Sequence, residues 1–110
     1  MILPPLEALV ANGDGQYGTV GSVVQIPLQV IVREVESQRP RNGMAVQWSV
    51  DQGAASLETI ATTITDETGS ASVRVRLGAS TGEVVVRARV VEQDNATATF
   101  RLFTVNRPTL

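Results

Sequence analysis

The sequence contains no cysteine, no histidine and no lysine among its 110 residues. Without cysteine there is no disulfide framework, no thiolate zinc site and no thiol nucleophile. Without histidine the chain lacks the usual metal ligand and the side chain that titrates unperturbed near neutral pH. Serine and threonine are plentiful, but a hydroxyl nucleophile has no ready general base here. We therefore expect no enzymatic activity, no catalytic or metal site, and no cofactor.

The sequence also has no large excess of positive or negative charge. It contains nine basic and eleven acidic residues, which gives a net charge of −2. A nucleic-acid-binding domain normally has a basic excess, so we expect no nucleic acid as a partner. No stretch approaches the roughly 20 apolar residues of a spanning helix, so we expect no direct insertion into a membrane. The length fits a single domain over 1–110, with a linker-like segment at 1–6 and an exit segment at 106–110.

Aromatic residues make up only 4% of the chain, and the apolar positions are mostly β-branched or small. Many of them alternate with polar residues, which indicates half-buried strands. In "MAVQWSVD", for example, Val46 and Trp48 fall on one face and Gln47 and Ser49 on the other. The same pattern occurs in "PLQVIVRE", "ASVRVRL", "VVVRARV" and "ATATFRL". It predicts a core that includes Val30, Val32, Val46, Trp48, Val73, Val75, Val86 and Phe100.

Turn-forming residues separate these strands. Asparagine, aspartate, glycine and proline cluster at 39–43, 66–69, 77–82 and 92–95. Short alternating strands at regular spacing are typical of a β-sandwich, and a lone inward tryptophan favours the immunoglobulin-like type. The predicted fold is therefore an all-β, Ig-like antiparallel β-sandwich of about seven strands without a disulfide.

Three glycines in "NGDGQYGTVGS", Gly13, Gly15 and Gly18, have the G-x-G-x-x-G spacing of dinucleotide-binding loops. Such a loop needs a helix immediately after the glycines to present its amide groups to the pyrophosphate. Poor helix formers follow Gly18 here, so we interpret the stretch as an irregular loop in which glycine permits positive φ. An EF-hand calcium loop is equally unsupported, because no carboxylate stands at its twelfth position.

Several motifs, taken in order, resemble the bacterial Ig-like domain, group 1, of invasin- and intimin-type adhesins. They are "NGDGQYGTVGS", "PLQVIV", "MAVQWSVDQGAASL" and "TTITDETGSASVRVRLGASTGEVVVRA", and the resemblance covers about residues 8–91. It implies that the glycine stretch connects the first strand to the second, with Asp14 and Gln16 bonded to loop backbone. The sequence departs from the family pattern at 34–43, where the connection is longer and more charged.

The resemblance implies a non-catalytic structural or spacer module of a bacterial cell-surface or secreted adhesin-like protein, with neighbouring domains of the same chain as its partners. One alternative is a recognition module for a host or surface protein or a glycan, acting through the 34–43 loop or an exposed edge strand. Its candidate binding residues are Gln38, Arg39, Arg41 and Asn42. The other alternative is an accessory domain of a secreted polysaccharide-degrading enzyme. All three place the domain outside the cell or on the bacterial surface.

Some exposed residues also bear on binding. Arginine pairs mark the outer faces of two predicted strands, at Arg74 with Arg76 and Arg87 with Arg89, and we expect them in different sheets. Tyr17 is expected to be an exposed loop residue. The segment "TFRLFTV" at 99–105 is expected to lie at an open sheet edge, where its free amides invite pairing with a neighbour.

Overall fold

The computed structural model describes residues 5–58 and 61–106, and in these ranges the chain forms strands and turns without a helix. Within the same ranges no helix has the length and apolar character needed to cross a membrane. The described strands β1 to β10 are, in chain order, Leu6–Asn12, Tyr17–Thr19, Leu28–Glu34, Ala45–Gln52, Ala55–Leu57, Thr62–Ile64, Ser70–Val73, Val75–Leu77, Gly82–Val90 and Gln93–Val105.

The strands are arranged in two layers. One layer contains the antiparallel sheet β1-β3-β7 and the short antiparallel pair β5-β8. Only Arg74 separates β7 from β8, so the short pair continues this layer, and Val23 bridges to Arg76 on the other side of β8. The second layer is the five-stranded sheet β2-β10-β9-β4-β6. This architecture confirms the predicted Ig-like sandwich.

The core lies between the two layers and is almost entirely aliphatic. Each residue predicted for it from the alternation is at most 2% exposed. The rings of Trp48 and Phe100 pack at its centre with their centroids 5.7 Å apart. The indole Nε1 of Trp48 donates a hydrogen bond to Thr63 Oγ1 at 2.9 Å, which satisfies its one polar atom. Because the sequence has no cysteine, packing closes the sandwich without a covalent link between the layers.

The chain runs from one end of the sandwich to the other. Strand β1 begins at Leu6, which pairs with Glu34 and donates its amide to the side chain of Gln93. Strand β10 ends at the opposite end, where Thr104 pairs with Gly82 and the carbonyl of Val105 accepts the amide of Val20. We call the end with Leu6 and the 34–43 loop the entry pole, and the end with Val105 and Gly82 the exit pole.

Two expectations about β10 are wrong. Its last residues, Phe103–Val105, are not an open edge, because β2 pairs with them in parallel. The connection after β1 carries the chain into the second layer, and this brings Tyr17–Thr19 alongside β10, so Tyr17 is a strand residue. At its other end β10 begins at Gln93, inside the predicted turn at 92–95, because the turn itself occupies only residues 91–92.

Candidate functional site

The 34–43 loop at the entry pole is held in one conformation by its own backbone. The amide of Glu34 donates to the carbonyl of Arg39 at 2.9 Å, and the amide of Gln38 donates back to the carbonyl of Glu34 at 2.9 Å. Next, the amide of Arg41 donates to the carbonyl of Val32 at 2.9 Å, which returns the chain to β3. Gln38 adopts a left-handed conformation with φ of 60° to complete the turn. The loop is thus a folded extension of β3.

Glu34 organises the side chains of this loop. Its Oε1 accepts the hydroxyl of Ser37 at 2.6 Å, and its Oε2 accepts Nη1 of Arg41 at 2.8 Å. The Ser37 hydroxyl and then the Arg41 guanidinium hold the pKa of Glu34 below its ordinary value. The carboxylate therefore stays ionised at neutral pH and keeps the loop bonded to itself.

Thr65, which follows β6, anchors the far end of the loop. Its side chain is buried; Oγ1 accepts the amide of Met44 at 2.8 Å and donates to the carbonyl of Arg41 at 2.5 Å. The carbonyl of Thr65 also accepts the amide of Gly43 at 2.9 Å. These bonds connect the loop to the edge of the second layer, so the loop rests on a rigid base.

The four candidate binding residues have different surroundings. Gln38, Arg39 and Asn42 are exposed at the entry pole, whereas Arg41 is half-buried and bonded to Glu34. The first three face solvent on a fixed backbone, which is the arrangement that recognition loops require. Arg41 instead holds the loop together. A role of these residues in binding stays a prediction.

The glycine-rich stretch after β1 is a crossing between the two layers. Gly13, Gly15 and Gly21 all have positive φ, between 76° and 90°. The side chain of Gln16 fills the inside of the crossing: Nε2 donates to the carbonyls of Gly13 and Ile26, and Oε1 accepts the amide of Ile26. Gln16 thus bonds to loop backbone, as the family resemblance implies.

Asp14 has a different partner from the one expected. Its Oδ1 accepts the amide of Arg101 on β10 at 2.8 Å, and the amide of Gly15 donates to the carbonyl of Arg101 at 2.8 Å. A phosphate-binding loop needs free amides, yet the amide of Gly13 bonds to the side chain of Asn12 and that of Gly15 to β10. The glycines therefore permit the positive φ angles of the crossing between the two layers.

The charged side chains on the outer faces are mostly paired. Arg76, on the first layer, bonds to Glu58 at 3.3 Å and to the carbonyl of Gly21 at 2.9 Å. On the second layer, Nε of Arg87 donates to Asp51 at 2.7 Å, and Arg89 donates to the side chain of Gln47. The two arginine pairs lie in different layers and form no common basic surface.

Two surface aspartates, Asp51 and Asp66, have structural partners. Asp51 is bonded to Arg87 and Ser49, which lower its pKa in that order. Asp66 accepts the hydroxyl and amide of Thr68 and the amide of Ser70, and the Thr68 hydroxyl is the largest cause of its lowered pKa. Among residues 5–58 and 61–106, no group of three or more acidic side chains is placed to hold a metal ion.

Sequence reasoning missed the residues that fix the loop and the crossing. Ser37, Glu34 and Thr65 shape the loop, and the contact of Asp14 with Arg101 joins positions 87 residues apart. Glu34 and Arg41 lie seven residues apart, and this spacing in a loop does not predict that their side chains are in contact. Only the strand pairing brings these groups together.

Comparison with known proteins finds similarity to solved structures. Neither a family model nor a curated protein sequence matches the chain. Among solved structures, the D00-D0 domain of intimin is similar over 93% of this chain and 46% of that chain, with a TM-score of 0.67 and 18% identity. The D0-D1 domain of intimin is similar over 93% of this chain and 48% of that chain, with a TM-score of 0.61 and 16% identity.

A third structure is the C-terminal 282-residue fragment of intimin in complex with the intimin-binding domain of the translocated intimin receptor. It is similar over 94% of this chain and 33% of that chain, with a TM-score of 0.59 and 18% identity. The chain therefore spans less than half of each of these structures, and identities at this level show a shared fold. In fold, this chain is an Ig-like β domain similar to the Ig-like domains of the adhesin intimin.

Proposed function

We propose that this chain is a non-catalytic spacer module of a bacterial cell-surface or secreted adhesin-like protein. The observation that carries the proposal is the position of the two poles. The polypeptide enters beside Leu6 and leaves beside Val105 at the opposite end of a body with extents of 57 × 20 × 20 Å. Modules connected in this way add their long axes to one another, so each copy extends the protein.

Three further features support a spacer. The sequence has no cysteine, so the packing of a hydrophobic cluster, and not a disulfide, holds the two layers together. The carboxylates of Asp51 and Asp66 are bonded to structural partners, which is consistent with a role in stabilising the module. The fold is shared with domains of an adhesin, which supports a place on the bacterial surface beside other domains of the same chain.

Small-angle X-ray scattering on one copy and on two copies joined head to tail tests the proposal. The junction keeps segments 106–110 and 1–6 because their sequences contain Pro4, Pro5 and Pro108, and proline makes a linker stiffer. We expect the maximum dimension of the two-copy protein to approach twice that of one copy. A matched protein in which glycine and serine replace those prolines should give a broader and shorter distance distribution. A two-copy protein as compact as two domains side by side would contradict the spacer.

A second candidate function is recognition through the 34–43 loop. The specific observation that favours it is the exposure of Gln38, Arg39 and Asn42 on a backbone fixed by Glu34 and Thr65. An intimin fragment, of which a third is similar to this chain, has been solved with a protein receptor, which supports a protein as the partner class.

The test is a protein and glycan array probed with the parent domain and two variants. Replacing Gln38, Arg39 and Asn42 with serine should abolish a specific signal, because it removes the exposed side chains and leaves the Glu34 bonds intact. The matched control replaces Ala79, Ser80 and Thr81, which are exposed at the exit pole, with glycine or serine of similar size. Equal signals from both variants would remove the loop as a recognition site.

A further inference from the structure

The segment that follows β1 is joined to the end of β10 by one direct set of hydrogen bonds. Residues 14–20, which follow β1, lie against residues 101–105 at the end of β10, and we call this contact the terminal seam. In it the amide of Arg101 donates to Asp14, and the amide of Gly15 donates to the carbonyl of Arg101. The amide of Phe103 donates to the carbonyl of Gln16, and that of Val20 to the carbonyl of Val105, both at 3.0 Å.

The two sides of the seam run in the same direction. Tyr17, Gly18 and Thr19 pair in parallel with Phe103, Thr104 and Val105. Tension applied at the two ends of the chain pulls residues 14–20 towards the entry pole, because β1 connects them to that end. It pulls residues 101–105 towards the exit pole. The force then acts along both strands and across their hydrogen bonds, so all the bonds are loaded together. Strands peeled from an open end break one bond at a time, which requires far less force.

An aromatic pair spans the seam. Tyr17 is 71% exposed and does not contribute to the core, yet its ring stacks on Phe103 with centroids 5.0 Å apart and an interplanar angle of 25°. These two residues are directly paired across the seam. The stacked rings therefore add a side-chain contact between the two sides of the seam to its backbone bonds.

We propose that the terminal seam is the force-bearing element of this domain and sets the tension at which it unfolds. The proposal deepens the spacer function and rests on it in one respect, namely that load enters through both ends of the module. A spacer on a surface protein that binds a distant partner carries the tension of that attachment. Resistance to tension is governed by the rate of unfolding, so it depends on the bonds that break first.

Single-molecule force spectroscopy tests the direction of loading. One protein is pulled through its two ends. In a second, Thr81→Cys and Asn106→Cys provide the handles, which are unique because the chain has no other cysteine. Both handles lie at the exit pole beside the paired residues Gly82 and Thr104, so this force peels β10 from β9. We expect a severalfold higher unfolding force for the end-to-end pull; equal forces in the two directions would overturn the proposal.

Substitutions test the seam itself under the end-to-end pull. Asp14→Ala removes the acceptor of the Arg101 amide, and loss of one such bond should raise the unfolding rate at fixed force about fivefold. Asp14→Asn keeps an oxygen acceptor and should restore most of the resistance. Val20→Pro removes the amide that bonds to Val105 and should act in the same direction as Asp14→Ala.

The matched control is Asp66→Ala. Asp66 is also an exposed aspartate that accepts backbone amides, but it lies in the turn before β7, away from the seam. It should lower the urea midpoint without changing the unfolding rate under tension. If Asp66→Ala weakens the domain under tension as much as Asp14→Ala does, overall stability sets the force and the proposal fails. The spacer function is judged separately, because the scattering length of two copies does not depend on unfolding force.

Discussion

Two buried threonines show that the effect of a buried hydroxyl on stability depends on whether it has hydrogen-bond partners. Thr65 is 2% exposed and its hydroxyl makes two hydrogen bonds to backbone groups of the 34–43 loop and Met44. Thr104 is 3% exposed, and its hydroxyl has no hydrogen-bond partner among the residues that the structure describes. The same residue type therefore stabilises the fold at one position and costs desolvation at the other.

We predict that Thr65→Val lowers the free energy of unfolding by about 1–3 kcal/mol, because it leaves a buried amide and a carbonyl without partners. Urea denaturation followed by circular dichroism measures the change. Thr104→Val is the matched control, with the same replacement at the same burial, and it should leave the stability unchanged or raise it. A loss at Thr104 equal to that at Thr65 would contradict the assignment of these hydrogen bonds.

At the level of single residues, the sequence predicts burial better than contact. Alternation places Trp48 on the inward face of its strand, and the structure has it 2% exposed. The hydrogen bond from Trp48 to Thr63 could not be predicted, because the two residues lie 15 positions apart on strands whose pairing no local pattern specifies. The same holds for Asp14, whose partner is on β10.

Among the elements, most of the longer strands follow from the alternation, as do the short strands β7 and β8, whereas other short strands do not. Strands β3, β4 and β9 lie where apolar and polar residues alternate over several positions. Strands β2 and β5 have three residues each, too few for a period to appear. The start of β10 differs from the predicted turn because Asp94 and Asn95 favour turns in general, whereas here they lie where the pairing of β10 with β9 is irregular.

The turn between β6 and β7 should make stability depend on pH. The Thr68 hydroxyl, followed by the amides of Ser70 and Thr68, holds the pKa of Asp66 below its ordinary value of 3.8. A lowered folded-state pKa means that the ionised form stabilises the fold. This contribution is fully present above the ordinary pKa and is lost as the pH falls through the lower, folded-state value. Asp51 and Glu34 shift in the same direction.

We therefore predict that the urea midpoint falls between pH 7 and pH 3, and that Asp66→Asn reduces this fall. The asparagine oxygen still accepts the amides of Thr68 and Ser70 but does not titrate, so the variant is less stable than the parent at pH 7 and closer to it at pH 3. Denaturation curves of both proteins at the two pH values provide the measurement. An identical fall in parent and variant would show that Asp66 does not contribute to acid sensitivity.

For the whole molecule, the sequence predicts the fold class but not where the chain enters and leaves. Composition and alternation predict a two-layer sandwich, and the inward Trp48 together with the resemblance to bacterial Ig-like domains favours the Ig-like type. The position of the two poles depends on the crossing after β1 and on the parallel pairing of β2 with β10, which joins residues over 80 positions apart. The proposed force-bearing seam rests on that pairing.

The single tryptophan has a practical consequence for the molecule as a whole. Trp48 is the one indole in the sequence, and it lies between the two layers against Phe100. Its emission in the intact protein should come at short wavelength and shift to the red when the layers separate and water reaches the ring. The emission wavelength of Trp48 therefore reports directly on separation of the two layers, without an attached dye.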